Sequence, residues 1–172
     1  MDSPKLAELK KELNFHDVHQ LKDLCLRIAK YKTENKELLH YLLFYQDKKD
    51  EYIALIKDLI KDEFDDLHPS IYYVSKQLRK LIRIMNKHIR YMADKPTEVE
   101  VLLSFSSEFI KHPIVKSNFK ALDSILLRQL KRINKIIPKL QEDLAFDYQQ
   151  QFDEVISDLK KKKPSFSIRE IE

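Results

Sequence analysis

Glu37-x-x-His40 lies in a stretch that reads as helix. It has the spacing at which a carboxylate and an imidazole face one metal in di-iron carboxylate bundles. Such a site needs a second pair of this kind and two further glutamates on facing helices. The nearest relative is Asp65-x-x-His68 on the same stretch, about 40 Å away along a straight helix, so the two pairs cannot share an ion. His16 and His19, with Asp17 between them, suit Zn or Ni, but no third ligand accompanies them. Glu108 and His112 stand four apart and precede Pro113, positions that suit the end of a helix. No metal site and no cofactor is expected.

Nucleophiles fare no better. Ser117-x-x-Lys120 has the Ser-x-x-Lys spacing of penicillin-recognising enzymes, but their Ser-Asp-Asn and Lys-Thr-Gly segments are absent. Cys25 falls on the apolar face Val18, Leu21, Leu24, Ile28 and reads as a small core residue, where burial raises a thiol pKa and suppresses reactivity. Glycine is absent from all 172 residues, which removes phosphate loops, dinucleotide turns and glycine-dependent oxyanion turns. No catalytic residue is expected, and no small-molecule substrate is identified. A metal-dependent enzyme is the weakest of the readings.

Charge carries the surviving signal. Lys76, Arg79, Lys80, Arg83, Lys87 and Arg90 fall within roughly a 100° arc of one helix, opposite an apolar stripe. Arg128, Lys131, Arg132, Lys135 and Lys139 occupy the equivalent arc of another. No acidic residue interrupts either run, whereas solvated helix faces ordinarily interleave Glu with Lys. A phosphate backbone could follow such a face. Against this, residues 34–67 carry ten carboxylates and five lysines, a net of −5, which is enough to neutralise the stripes from within the chain or from a second copy. The overall charge of +4 names no partner.

The elements that position these residues are helical. Without glycine, tight hairpins are disfavoured, and the richness in Lys, Glu, Leu and Ile fits an all-α protein of about seven helices. Ser3 and Pro4 read as N-cap and first residue of a capping helix over 1–15. Further helices are expected over 17–31, 34–67, 70–92, 97–111, 115–137 and 139–162. Thr33 and Thr97 are expected as caps, Pro138 in the first turn of the last helix, and 164–172 as a loose tail. The 34–67 stretch reads as one long helix, with a break near 47–50 permitted but not required. Because residues 38–45 are apolar or aromatic at seven of eight positions, this helix is expected to be surrounded by the others.

Lys76–Lys87 aligns with Arg128–Lys139 at a constant offset of 52 residues, and Thr33-Glu34 with Leu38-Leu39 echoes Thr97-Glu98 with Leu102-Leu103. Both patterns point to three helical hairpins, 17–67, 70–111 and 115–163, within a single domain over 1–163. In outline this is similar to HEAT-like α-solenoids, without their diagnostic motifs, and implies a short α–α superhelix. The competing architecture is an irregular bundle around the long helix. The leading functional expectation is a non-enzymatic protein-interaction module or scaffold, with a protein partner or self-association. The alternative is a nucleic-acid binder using the two basic stripes. The first thirty residues lack an uncharged apolar signal core and no run approaches the length of a membrane span, so a cytoplasmic protein is expected. The single cysteine fits a reducing compartment.

Overall fold

The computed structural model describes residues 4–171. Among them are eight α-helices, three short 3-10 turns and no strand, the all-α class that the composition implies. The helices are α1 (Leu6–Leu13), α2 (Val18–Tyr31), α3 (Thr33–Phe44), α4 (Lys49–Asp65), α5 (Ile71–Met92), α6 (Lys95–Lys111), α7 (Lys120–Ile136) and α8 (Glu142–Lys162). Contacts divide the chain, within the span expected as one domain, into two compact units, Met1–Asp47 and Lys48–Glu172. The Ser3 cap expected for α1 lies outside the described residues.

In the first unit α2 and α3 pack on each other. Asp17 caps α2 by accepting from the Gln20 amide at 2.9 Å, while the Gln20 side chain accepts from Asp17 N–H at 3.0 Å. This reciprocal arrangement satisfies two otherwise orphaned donors. The expected burial fails here. Ala29 and Tyr41 are buried, but Leu43 and Phe44 are 66% and 62% exposed, and Cys25 is exposed rather than a core residue. Two packed helices cover one stripe on each other, whereas a helix apolar all round needs neighbours on every side.

Residues 34–67 are not one helix. The backbone leaves helical geometry at Tyr45 (φ −129°, ψ −4°) and again at Lys48 (φ −130°, ψ 47°), separating α3 from α4. The break falls where the apolar periodicity stops and Gln46, Asp47, Lys48, Lys49 and Asp50 follow. None of these buries a side chain that would hold a rod straight.

The surrounded helix is α6. It packs against α4, α5, α7 and α8, all in the second unit. Val99, Val101, Leu102, Leu103, Phe105, Phe109 and Ile110 are all buried, each worth roughly 1.5–3 kcal/mol if fully removed from water. Phe64 of α4 meets Phe105 at 5.5 Å and Phe109 at 6.2 Å between ring centroids, a geometry that adds to simple burial. Ser106 is buried, its hydroxyl donating to Leu102 C=O at 2.8 Å. The cap of α6 is Asp94, not Thr97: its carboxylate accepts from Thr97 N–H at 3.2 Å and from Thr97 Oγ1–H at 2.6 Å. Burial alone would raise the Asp94 pKa, but the two Thr97 hydrogen bonds and the nearby Lys49 charge outweigh it and hold the carboxyl below its ordinary value.

Around α6, helices α4 and α8 flank it, while α5 and α7 are neighbours that both pack against it. Helix α5 buries Val74, Leu78, Leu81, Met85, Ile89 and Met92; α7 buries Leu122, Ile125, Leu126, Leu130 and Ile133. With no glycine to end α5, Ala93 takes the left-handed conformation at φ 50°, at a cost of roughly 1–2 kcal/mol for an L-residue with a Cβ. Pro138 lies in a 3-10 turn, Ile137–Lys139, and α8 begins at Glu142 beyond it. The expected loose tail is anchored instead. Phe166 and Ile171 are buried, and Asn134 donates to Ile171 C=O at 3.0 Å. Lys163 is buried too, its ammonium bound to Asp123 and to Ser117 C=O. Among the described residues no helix is long and apolar enough to cross a membrane.

His112 closes α6 without pairing Glu108, which binds Lys111 at 2.7 Å. Its Nδ1 accepts from Ile114 N–H at 3.2 Å and its ring packs against Phe64. Burial lowers the imidazole pKa below 6.5, and the Asp65 charge opposes this only in part. The unfolded chain therefore takes up this proton first, so the contribution of His112 is present above the unfolded pKa and fades as pH falls through it. Urea unfolding at pH about 7 and about 5 is expected to show a smaller loss of stability on acidification in His112→Asn, whose Oδ1 keeps the cap, than in the wild type.

Candidate polyanion-binding face

Two amphipathic helices build this face. On α5 and α7 the apolar positions point into the core, which forces the basic arcs outward. Lys76, Arg79, Lys80, Arg83 and Arg90 on α5 are exposed, as are Arg128, Lys131 and Lys135 on α7 and Lys139 in the following turn; Lys87 is half-buried. Because α5 and α7 pack side by side, the two arcs meet. Lys76, Arg79 and Arg83 line a groove of about 610 Å³ together with Arg128, and Ile82, Ile125 and Gln129 form its floor. No carboxylate lines it.

Arg132 does not belong to the free surface. Its Nε–H donates to Glu98 of α6 at 2.6 Å, and a second guanidinium nitrogen donates to Asn86 of α5. Thus Arg132 ties three helices together from a half-buried position. Of the other carboxylates, Glu100 of α6 binds Lys57 of α4 at 2.6 Å, Glu108 binds Lys111 of its own helix at 2.7 Å, and the capping Asp94 lies 3.6 Å from Lys49 of α4. Cations of α4 and α7 thus meet the carboxylates in the first turns of the central helix, and no residue of the 34–67 stretch lines the groove.

At the N-terminal end of α5 the groove runs into aromatic side chains that sequence reasoning missed. The Lys76 ammonium sits 4.4 Å from the Tyr72 ring centroid and 5.6 Å from that of Tyr73. The two rings meet edge-on at 5.4 Å, and His68 packs tilted against Tyr73 at 4.7 Å. Tyr72 and Tyr73 are 57% and 50% exposed. Their positions four and three residues before Lys76 are the i, i+4 and i, i+3 neighbours of the first stripe residue, a signal readable in the sequence.

The candidate chemical pairs stay apart or serve the fold. His40 packs against Phe44 and Tyr45. His16, in the turn between α1 and α2, donates from Nδ1 to Glu12 C=O at the end of α1 at 3.0 Å. Among the described residues no group of three or more His, Cys, Asp or Glu side chains is placed to hold a metal ion. Ser117 Oγ accepts from Phe119 N–H at 3.1 Å and serves as a turn residue. A second cleft, about 540 Å³, lies between α6 and α8, with Asp147, Glu154 and Asp158 on its wall. Burial and the adjacent Glu100 push the Tyr148 hydroxyl there up to about 12. Carboxylates outnumber the lysines Lys57, Lys111 and Lys162 on this lining, whereas the groove between α5 and α7 carries cations alone.

No protein-family model matches this sequence, and no curated protein or solved structure is detectably similar to it.

Arg132→Ala is expected to lower stability by about 1–2 kcal/mol, because Glu98 is left part-buried without its charged partner. Chemical denaturation checks this. An unchanged midpoint would return Arg132 to the free basic surface.

Proposed function

We propose that this chain is a non-enzymatic binding protein whose second unit holds a nucleic-acid backbone along the groove between α5 and α7. The supporting observation is the convergence of Lys76, Arg79, Arg83 and Arg128 from two helices on a groove without a carboxylate. Phosphates neutralised there release condensed counterions, which gives affinity largely independent of sequence and strongly dependent on salt. On this support we favour the nucleic-acid reading over the broader protein-interaction reading, which leads on sequence alone.

The second unit reads further as a short α–α superhelix with α5 and α7 as equivalent helices. The offset of 52 pairs Leu78 with Leu130, Leu81 with Ile133 and Met85 with Ile137, and all six side chains are buried. Lys76 and Arg128, equivalent under the same offset, both line the groove. Repetition of one helix pattern thus doubles one cationic stripe into a face.

A protein partner or self-association is the second reading, favoured by the exposure of Phe15, Val18, Ile28, Leu43 and Phe44 in the first unit. Sedimentation over rising concentration separates the two forms of it. Self-association predicts a concentration-dependent dimer that Leu43→Glu abolishes, and a monomer throughout assigns the apolar surface to another protein. The reducing cytoplasm is the compartment that suits both readings.

For the groove itself, four neutralised phosphates make affinity fall roughly 50- to 150-fold between about 50 and about 200 mM salt. Titration of a labelled oligonucleotide at those two salt concentrations is expected to show this loss. Arg79→Glu with Arg128→Glu abolishes binding while leaving the melting temperature near that of the wild type. Absence of binding at the lower salt concentration would sink the proposal.

A further inference from the structure

Resting on the nucleic-acid reading of the groove, we infer that the ligand is single-stranded and that Tyr72 and Tyr73 stack its bases at one end. The aromatic group is held in place before any ligand arrives. Gln77 of α5 accepts from His68 N–H at 2.8 Å and donates to Asp66 C=O at 3.2 Å, which fastens the turn before α5 to the helix. Ser70 N–H donates to His68 Nδ1 at 2.9 Å and fixes the imidazole ring. That ring packs tilted against Tyr73, and Tyr73 meets Tyr72 edge-on. Two exposed tyrosines thus rest on a supported framework, so little ordering entropy is lost when a base lands on them.

Lys76 joins the platform to the groove. Its ammonium lies over the Tyr72 ring and its side chain also lines the groove with Arg79 and Arg128. A base arriving on Tyr72 replaces the ammonium at the ring, and the ammonium turns to the adjoining phosphate. The same movement serves both halves of a nucleotide. Bases in a duplex are stacked on one another and offer no free face to a tyrosine, whereas a single strand offers one at every position. An aromatic platform continuous with a cationic groove therefore selects single strands, and does so without hydrogen-bond readout of sequence.

The test uses the full chain with three probes: oligo(dT) of about 15 nucleotides, a duplex of the same length, and heparin. Tyr72→Ala with Tyr73→Ala is expected to weaken oligo(dT) roughly tenfold or more, to leave heparin and duplex affinity unchanged, and to leave the circular dichroism melt intact. Tyr72→Phe with Tyr73→Phe restores oligo(dT) binding, because stacking needs the ring and not the hydroxyl. Equal loss on all three probes, no loss on any, or failure of the phenylalanine pair to rescue overturns base stacking. Arg79→Glu with Arg128→Glu, which removes binding of every probe, tests the groove independently. If that pair abolishes binding while the alanine pair changes nothing, the groove stands and the stacking platform falls. If the wild type binds neither oligonucleotide, both fall.

Discussion

Helix α6 is enclosed by four neighbours, and the rest of the second unit depends on that enclosure. A helix can be surrounded only if it is apolar nearly all round and if each charge it carries is met by a partner. Residues 95–111 satisfy the first, and their carboxylates at 98, 100 and 108 satisfy the second. Phe105 and Phe109 close the interior with Phe64, and the carboxylates at 98 and 100 reach cations on α7 and α4. The ion pairs are part-exposed, so their energy is modest. Their effect is to specify which helix lies on which side of α6.

The basic face follows from the same packing. With α6 taking the apolar stripes of α5 and α7, the opposite arcs of both helices turn outward, and those arcs are basic. The two stripes merge because α5 and α7 are neighbours on one side of α6. Arg132 is withdrawn from its stripe by Glu98 of the central helix, and Lys87 is half-buried.

The first unit follows a different rule. Residues 38–45 have the composition of a buried helix, yet in the α2–α3 pair they remain largely in solvent. Composition states what a helix would bury if neighbours were supplied. It does not supply them. Exposed apolar surface of this kind marks an interaction surface more often than a defect.

Helix content, the direction of each amphipathic face on α5 and α7, and the two uninterrupted basic arcs were legible in the residues alone, because each depends on a period of 3.6 and on local side-chain chemistry. Zero glycine was equally decisive, since it removes whole classes of turn and phosphate loop. What only the tertiary structure decided is which apolar helix would be surrounded, and that 164–171 folds back with Phe166 and Ile171 buried. These depend on contacts between residues far apart in the chain, and local periodicity carries no record of them. The pairing of Arg132 with Glu98, 34 residues away, is of that kind. So is the joining of the Tyr72–Tyr73 platform to a groove whose far wall is Arg128.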